Sequence, residues 1–210
     1  TASLDAGVTT INGSAMTGAM TVTQDAAANI TFTGGSDNDF IDLGGDNFDG
    51  NDTVNGGAGS DTLSIEEDDA IALTTAAAEL TKISNIEIIN LTDTLAGNVT
   101  LSFFGGATTL ELSAGIDTND RTLTLVSGDT IDLEADAGDD ITIVASGSGT
   151  SDIVNLILNN ADVAANIQAA TVETLNITTT GTADSGVNTI TGTTAVNAIA
   201  GTQSIIINGA

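Results

Sequence analysis

The sequence predicts a mainly β chain stacked as a parallel β-roll or β-solenoid, with irregular coils and one or two short Ala-rich helices. Three observations lead there. Short apolar stretches rich in Val, Ile, Leu and Thr are separated by Gly, Asp, Asn and Ser, a pattern that suits strands and is too brief for independent helices. Two sequence blocks recur about 90 residues apart, and similarity at a fixed period marks arrays whose units bury their apolar faces against one another. The chain has no proline, as stacked coils require when interior strands donate N–H groups to their neighbours.

Taken in order, residues 1–33 form an N-terminal β segment ending in the stretch Ile30 to Thr33. A Gly/Asp-rich region, 34–65, follows and closes on Thr62 to Ile65. Residues 66–210 continue the β pattern with Ile86 to Leu91, Val99 to Phe103, Thr109 to Leu112, Leu123 to Val126, Ile131 to Leu133, Ile141 to Val144, Ile153 to Leu158, Thr174 to Ile177, Thr189 to Thr191 and Ser204 to Ile207. The repeat pairs Gly59-Ser60-Asp61-Thr62-Leu63-Ser64-Ile65 with the run from Gly149 to Leu156, and the strand from Asn85 to Thr92 with that from Thr171 to Thr178. A second, degenerate copy of the module therefore spans about 141–178. Between the paired blocks lie Ala70 to Leu80 in one copy and Ala161 to Ala170 in the other, the candidates for short helices.

Composition narrows the function. There are 29 carboxylates, two cations (Lys82 and Arg121) and no histidine or cysteine, for a net charge of −27, with 40% of positions apolar. Such apolar content indicates a folded chain, provided that something neutralises it. Nucleic acid and anionic membranes need a basic patch that two cations cannot form, so neither is an expected partner. No apolar run reaches the roughly 18 residues of a membrane span. Histidine-based triads, thiol nucleophiles and imidazole or thiolate metal sites are excluded, so any metal is held by oxygen. Catalysis is not expected: carboxylate pairs exist, but five phenylalanines are the only aromatic residues. The first five residues lack the basic and apolar regions of a signal peptide, and the sequence starts without methionine, which suggests a fragment or processed chain.

The densest signal lies between Gly34 and Ser64. Gly56 to Ser64 matches G-G-x-G-x-D-x-U-x at every defined position, with Leu63 as the aliphatic U. Gly34 to Asp42 matches except that Asp37 stands at the third glycine, and Gly50 to Asn55 supplies half of another copy. Glycines let such a turn enter positive φ and expose backbone carbonyls, while the sixth-position aspartate projects a carboxylate beside them. Stacked on one edge, two such turns would make an oxygen cage suited to Ca²⁺, which takes six to eight oxygens in flexible geometry. The candidate ligands are Gly34, Ser36, Asp37, Asp39, Gly56, Ala58 and Asp61, with Asp52 and its rival Asp49 in the middle turn. Alternate turns share an edge, which makes Asp39 and Asp61 the expected pair. Asp139 and Asp140, beside Gly138, and Asp152, after Gly147 and Gly149, are weaker candidates at eroded copies.

These nonapeptides resemble the RTX family of calcium-binding repeat proteins. Together with the Thr/Ala/Gly/Asn/Asp-rich composition and the blocks NIEIINLT and TVETLNIT, the chain looks most like RTX-containing, type I secreted surface-layer proteins of Gram-negative bacteria. The resemblance implies calcium as cofactor, a secreted, cell-surface location, and self-association into a layer or filament. A surface polysaccharide would be held by regions outside this chain. It also admits other readings: a calcium-rigidified spacer or binding module of a large adhesin, an accessory roll of a secreted hydrolase, or, for the fold, β-sandwich modules joined by an RTX turn region.

Outside the motif, Glu87 and Glu173 hold equivalent places in the repeated strand and are expected to be solvated or bonded to asparagine. Asn55, Asn90, Asn155 and Asn176 recur near strand ends, as corner ladders or plain turn residues. Phe103 and Phe104 cannot both face one side of a strand.

Overall fold

The computed structural model describes residues 2–4, 7–24, 28–45, 48–73, 82–147, 149, 151–161, 163, 166–180, 196–198 and 204–208. The chain is mainly β, with parallel sheets wound as a β-solenoid and one short α-helix among the described residues. It divides into two compact units, Thr1–Thr92 with Ser102–Ala107, and Asp93–Leu101 with Thr108–Ala210.

In the first unit the strands are β1 (Ala2–Leu4), β2 (Thr10–Asn12), β3 (Thr21–Gln24), β4 (Thr31–Thr33), β5 (Phe40–Asp42), β6 (Thr53–Asn55), β7 (Thr62–Ile65), β8 (Ile83–Ser84) and β9 (Ile88–Leu91). Odd strands line up in the order β1-β3-β5-β7-β9 and even strands in the order β2-β4-β6-β8. The chain alternates between two parallel sheets, one strand per sheet per coil. Register stacks like on like: Val22, Ile41, Leu63 and Ile89 are successive partners in one sheet, and Phe32, Val54 and Ile83 in the other. All seven are buried. Strands β3 to β9 thus each contribute one or two inward apolar residues at alternate positions, the period-two pattern of a one-sided sheet.

The second unit repeats the scheme with β10 (Val99–Thr100), β11 (Thr109–Leu112), β12 (Arg121–Leu125), β13 (Thr130–Leu133), β14 (Ile141–Ala145), β15 (Ile153–Asn159), β16 (Ile167–Ala170), β17 (Thr174–Thr180), β18 (Val196–Ala198) and β19 (Ser204–Asn208). Its inward rows include Leu110–Ile131–Leu156–Ile177 and Leu123–Ile143–Ala169. A third buried row, Leu95–Ile116–Ala137–Val163, is joined by single parallel bridges.

Two expectations change. The first Ala-rich stretch overlaps helix α1 (Glu67–Leu73), which begins with Glu67, Asp68 and Asp69 at its positive dipole end; residues 74–80 of that stretch lie outside the described residues. The second, Ala161 to Ala170, is not helical where it is described. Val163 bridges Ala137, and β16 pairs with β14, burying Ile167 and Ala169 in the same row positions as Ile141 and Ile143. Alanine's helix preference is worth a few tenths of a kcal/mol over its rivals, less than coil-on-coil pairing supplies. The stretch Val99 to Phe103 is a strand only to Thr100, after which a 3₁₀ turn over Leu101–Phe103 lets Leu101 and Phe104 both be buried. The stretch Thr189 to Thr191 lies outside the described residues.

Candidate cation site

The two glycine-rich turns stack directly. Gly34 to Asp39 links β4 to β5, Gly56 to Asp61 links β6 to β7, and the upper turn hydrogen-bonds down on the lower at three levels. Ala58 N donates to Gly35 O at 3.0 Å, Ser60 N to Asn38 Oδ1 at 2.9 Å, and Asp39 N to Asp61 Oδ1 at 2.7 Å. Glycine is required where the backbones meet. A Cβ on Gly34 would overlap the Gly56 carbonyl oxygen, and one on Gly56 would overlap the Asn85 carbonyl oxygen and come within 2.5 Å of Asp61 Oδ2.

The sixth-position aspartates turn inward from these corners. Asp39, Asp52 and Asp61 are all buried, the last completely. Their carboxylates chiefly accept backbone N–H groups. Asp39 Oδ1 takes Met20 N at 2.7 Å and its Oδ2 takes Gly35 N at 2.7 Å; Asp52 Oδ1 takes Ile30 N at 2.7 Å and its Oδ2 takes Asp49 N at 2.8 Å. Met20, Asp39, Asp61 and Glu87 each immediately precede paired strands, so they form one column. In it, each N–H points to the carboxylate one coil on: Met20 to Asp39, Asp39 to Asp61, and Asp61 to Glu87 Oε2 at 2.9 Å. Asp39 and Asp61 therefore do share an edge, as the motif spacing predicts, but as a donor and its acceptor rather than as two carboxylates facing one cage. Asp52, not Asp49, fills the middle turn; Asp49 is exposed and accepts Asn51 N at 2.6 Å.

Among the described residues, Asp61 Oδ2 is buried without a hydrogen-bond partner, as is Asp132 Oδ1 in the second unit. Burial pushes the Asp61 carboxyl up from its ordinary value, helped by the charges of Asp39 and Glu87 and opposed by the Asp39 N–H. Burial likewise raises Asp52, against its two backbone N–H bonds. An unpartnered, fully desolvated carboxylate oxygen is costly as an anion, and a proton or a metal cation is what relieves it.

The remaining candidates are dispersed. Ser36 donates N–H and hydroxyl to Met16 O, and Ala58 uses its N–H within the stack. Asp37 is exposed and accepts Asn38 N at 3.0 Å. In the second unit, Asp139 and Asp140 join Asp120 in the one group of three acidic side chains, among the described residues, whose ligand atoms lie within 4.8 Å of one another. Sequence reading missed Asp120, which meets them only because β12 and β14 pair in register. Asp140 is already engaged: Asn166 N at 2.8 Å, with Asn166 Nδ2 and Gln168 Nε2, holds its carboxyl below the ordinary value despite some desolvation. Asp152 lies against Gly149, and its N–H donates to Glu173 Oε2 at 2.8 Å.

That last bond reproduces Asp61 to Glu87 in the second copy of the module. The match extends to Glu87 N and Ile88 N on Asp61 O, mirrored by Glu173 N and Thr174 N on Asp152 O. It extends further to a left-handed residue two before each glutamate, Asn85 at φ 51° and Thr171 at φ 59°. Glu87 and Glu173 are thus neither simply solvated nor bonded to asparagine, correcting that expectation. They cap the backbone of the preceding coil. Asparagine ladders do form, from Asn176 Nδ2 to Asn155 Oδ1 at 3.0 Å and from Asn85 Nδ2 to Asn55 Oδ1 at 2.9 Å, while Asn90 reaches Ser64.

Of the sixth-position aspartates, Asp39 and Asp52 have both carboxylate oxygens hydrogen-bonded to backbone N–H groups, whereas Asp61 has only Oδ1 so engaged. No protein-family model, no curated protein and no solved structure matches the chain.

Proposed function

We propose that this chain is a structural, self-assembling protein of the cell exterior, a surface layer or filament, whose folding depends on Ca²⁺ held at its Gly/Asp turns. The observation that carries the reading is Asp61 Oδ2, a buried carboxylate oxygen without a partner in a chain of net charge −27. At low calcium, repulsion among the acids opposes compaction; at millimolar calcium, an ion that binds only the folded chain shifts the equilibrium toward it. A cation that screens acids within one coil stack also screens them between neighbouring copies, which is how the same ion would promote assembly. The solenoid is compatible with such a scaffold role, since each coil is complete only when covered by another. Far-UV circular dichroism with CaCl₂ and with EGTA tests the folding part: a β spectrum should be lost on chelation, and an unchanged one rejects the reading. Electron microscopy of protein in calcium tests assembly, since a spacer of an adhesin would stay monomeric.

A further inference from the structure

We infer that Glu111 and Asp132 share one proton between strands β11 and β13, a carboxyl–carboxylate clasp between successive coils of the second unit that lets go as pH rises. The inference stands apart from the calcium reading, since neither residue belongs to the glycine-rich turns. Register makes Glu111 and Asp132 direct partners and sets Ile157 beside Asp132 on the next coil. Parallel partners lie about 4.8 Å apart with their side chains on one face. That face is the outward one, because Leu110, Leu112, Ile131 and Leu133 on either side of them are in the core. Both acids are half-buried, and Asp132 Oδ1 is buried without a hydrogen-bond partner. What the row lacks is a donor: it gives Asp132 an acid on one coil and an aliphatic side chain on the other. Glu134, two residues on, shows the contrast. Its Oε2 accepts the Ser113 hydroxyl at 3.1 Å and its Oε1 accepts Asn159 Nδ2 at 3.4 Å, so neutral donors from the coils on both sides satisfy that carboxylate. Among the described residues of the unit no cation faces the pair: β15 carries no titratable side chain, Glu134 adds a third negative charge, and Arg121, the unit's one basic residue, is ion-paired with Asp117. A carboxyl hydrogen both supplies the missing donor and removes a charge, the O–H of one acid donating to the carboxylate of the other. Burial and then Glu134 raise both carboxyls above their ordinary values, and Asp132 raises Glu111 further, the direction that a shared proton requires. Carboxyls raised by folding contribute stability that is present at low pH and lost as pH climbs through their folded values.

The experiment is a pH titration of the full chain in fixed, saturating CaCl₂, following the carboxyl carbons of Glu111 and Asp132 by NMR in the parent, E111Q, D132N and the exposed control D68N, with melting by circular dichroism on the same samples. In the parent the two carboxyls should titrate together in two steps, the upper one above the ordinary range. In either amide variant the remaining acid should titrate in one step, with about tenfold weaker proton affinity than the parent's upper step. Both amide variants should melt no lower than the parent near pH 7, because the amide brings a donor without a charge, and should depend less on pH between about 5 and about 7. D68N should follow the parent. Single-step titrations of Glu111 and Asp132 in the parent, each unmoved when the other is neutralised, overturn the inference. Amide variants that reproduce the parent's melting profile overturn it as well, and a D68N profile equal to theirs assigns the effect to net charge and does the same. If the amide variants fail to fold, the parent's own curves decide between one shared proton and two independent ones.

Discussion

Asp52, Asp61 and Asp129 hold ionisable groups where water does not reach, and burial raises all three carboxyls above 3.8 against the N–H bonds that favour the anion. Glu111 and Asp132, partners across β11 and β13, are raised as well, first by burial and then by one another's neighbour Glu134. A raised carboxyl means that the folded chain binds more protons than the unfolded one over a window opening near 3.8, so stability falls as pH climbs through it. Asp140, lowered by Asn166 and Gln168, works oppositely: its contribution is full above 3.8 and lost below. In EGTA the melting temperature should therefore be higher near about pH 5 than at pH 7 and drop again below about pH 3; melting curves that rise from pH 5 to 7 contradict this. Calcium should flatten the upper limb if it takes the proton's place. Asp129 separates acceptor from charge, since its Oδ2 takes Val126 N at 2.8 Å. Urea titration should show D129A losing about 1–2 kcal/mol and D129N clearly less.

At the scale of the element, residues with several inward aliphatics were readable and residues with one were not. β7, β9, β11, β13, β14, β15 and β17 each place two or more apolar side chains at alternate positions, and the sequence shows them as stretches. β5 and β6 bury only Ile41 and Val54 and sit inside the Gly/Asp region, where turn residues mask a three-residue strand. The glycine-rich motif was legible because its glycines are dictated by contact between coils. Gly56→Ala should cost on the order of 3 kcal/mol, as the new methyl meets the Asn85 backbone carbonyl, which cannot rotate away, as well as the Asp61 side chain. Gly18→Ala, with open space around it, should stay within about 0.5 kcal/mol. Chemical denaturation in calcium measures both, and equal losses would refute the packing argument. The roles of Glu87 and Glu173 were invisible for a different reason: the internal repeat marked them as equivalent, but the N–H they accept belongs to a residue 26 and 21 positions earlier.

For the whole molecule the controlling quantity is a charge of −27 wound into coils that stack acid over acid. Monovalent salt screens such repulsion within a Debye length of about 10 Å at 0.1 M but cannot replace a ligand-bound ion at a buried oxygen. Millimolar CaCl₂ should therefore raise the melting temperature well above NaCl at matched ionic strength, read by circular dichroism; equal effects would mean that screening alone folds the chain. The sequence by itself determined the parallel β-solenoid class, the turn chemistry at Gly34 to Asp61 and the duplicated module, because each follows from local period, glycine placement or self-similarity. Only the tertiary structure decided that Asp39 caps while Asp61 keeps an oxygen unpartnered, that Asp120 joins Asp139 and Asp140, and that the second Ala-rich stretch enters a sheet. Those outcomes depend on which residues lie one coil apart, and coil length here varies through 19, 22 and 26 residues along a single column, so no fixed spacing in the sequence encodes them.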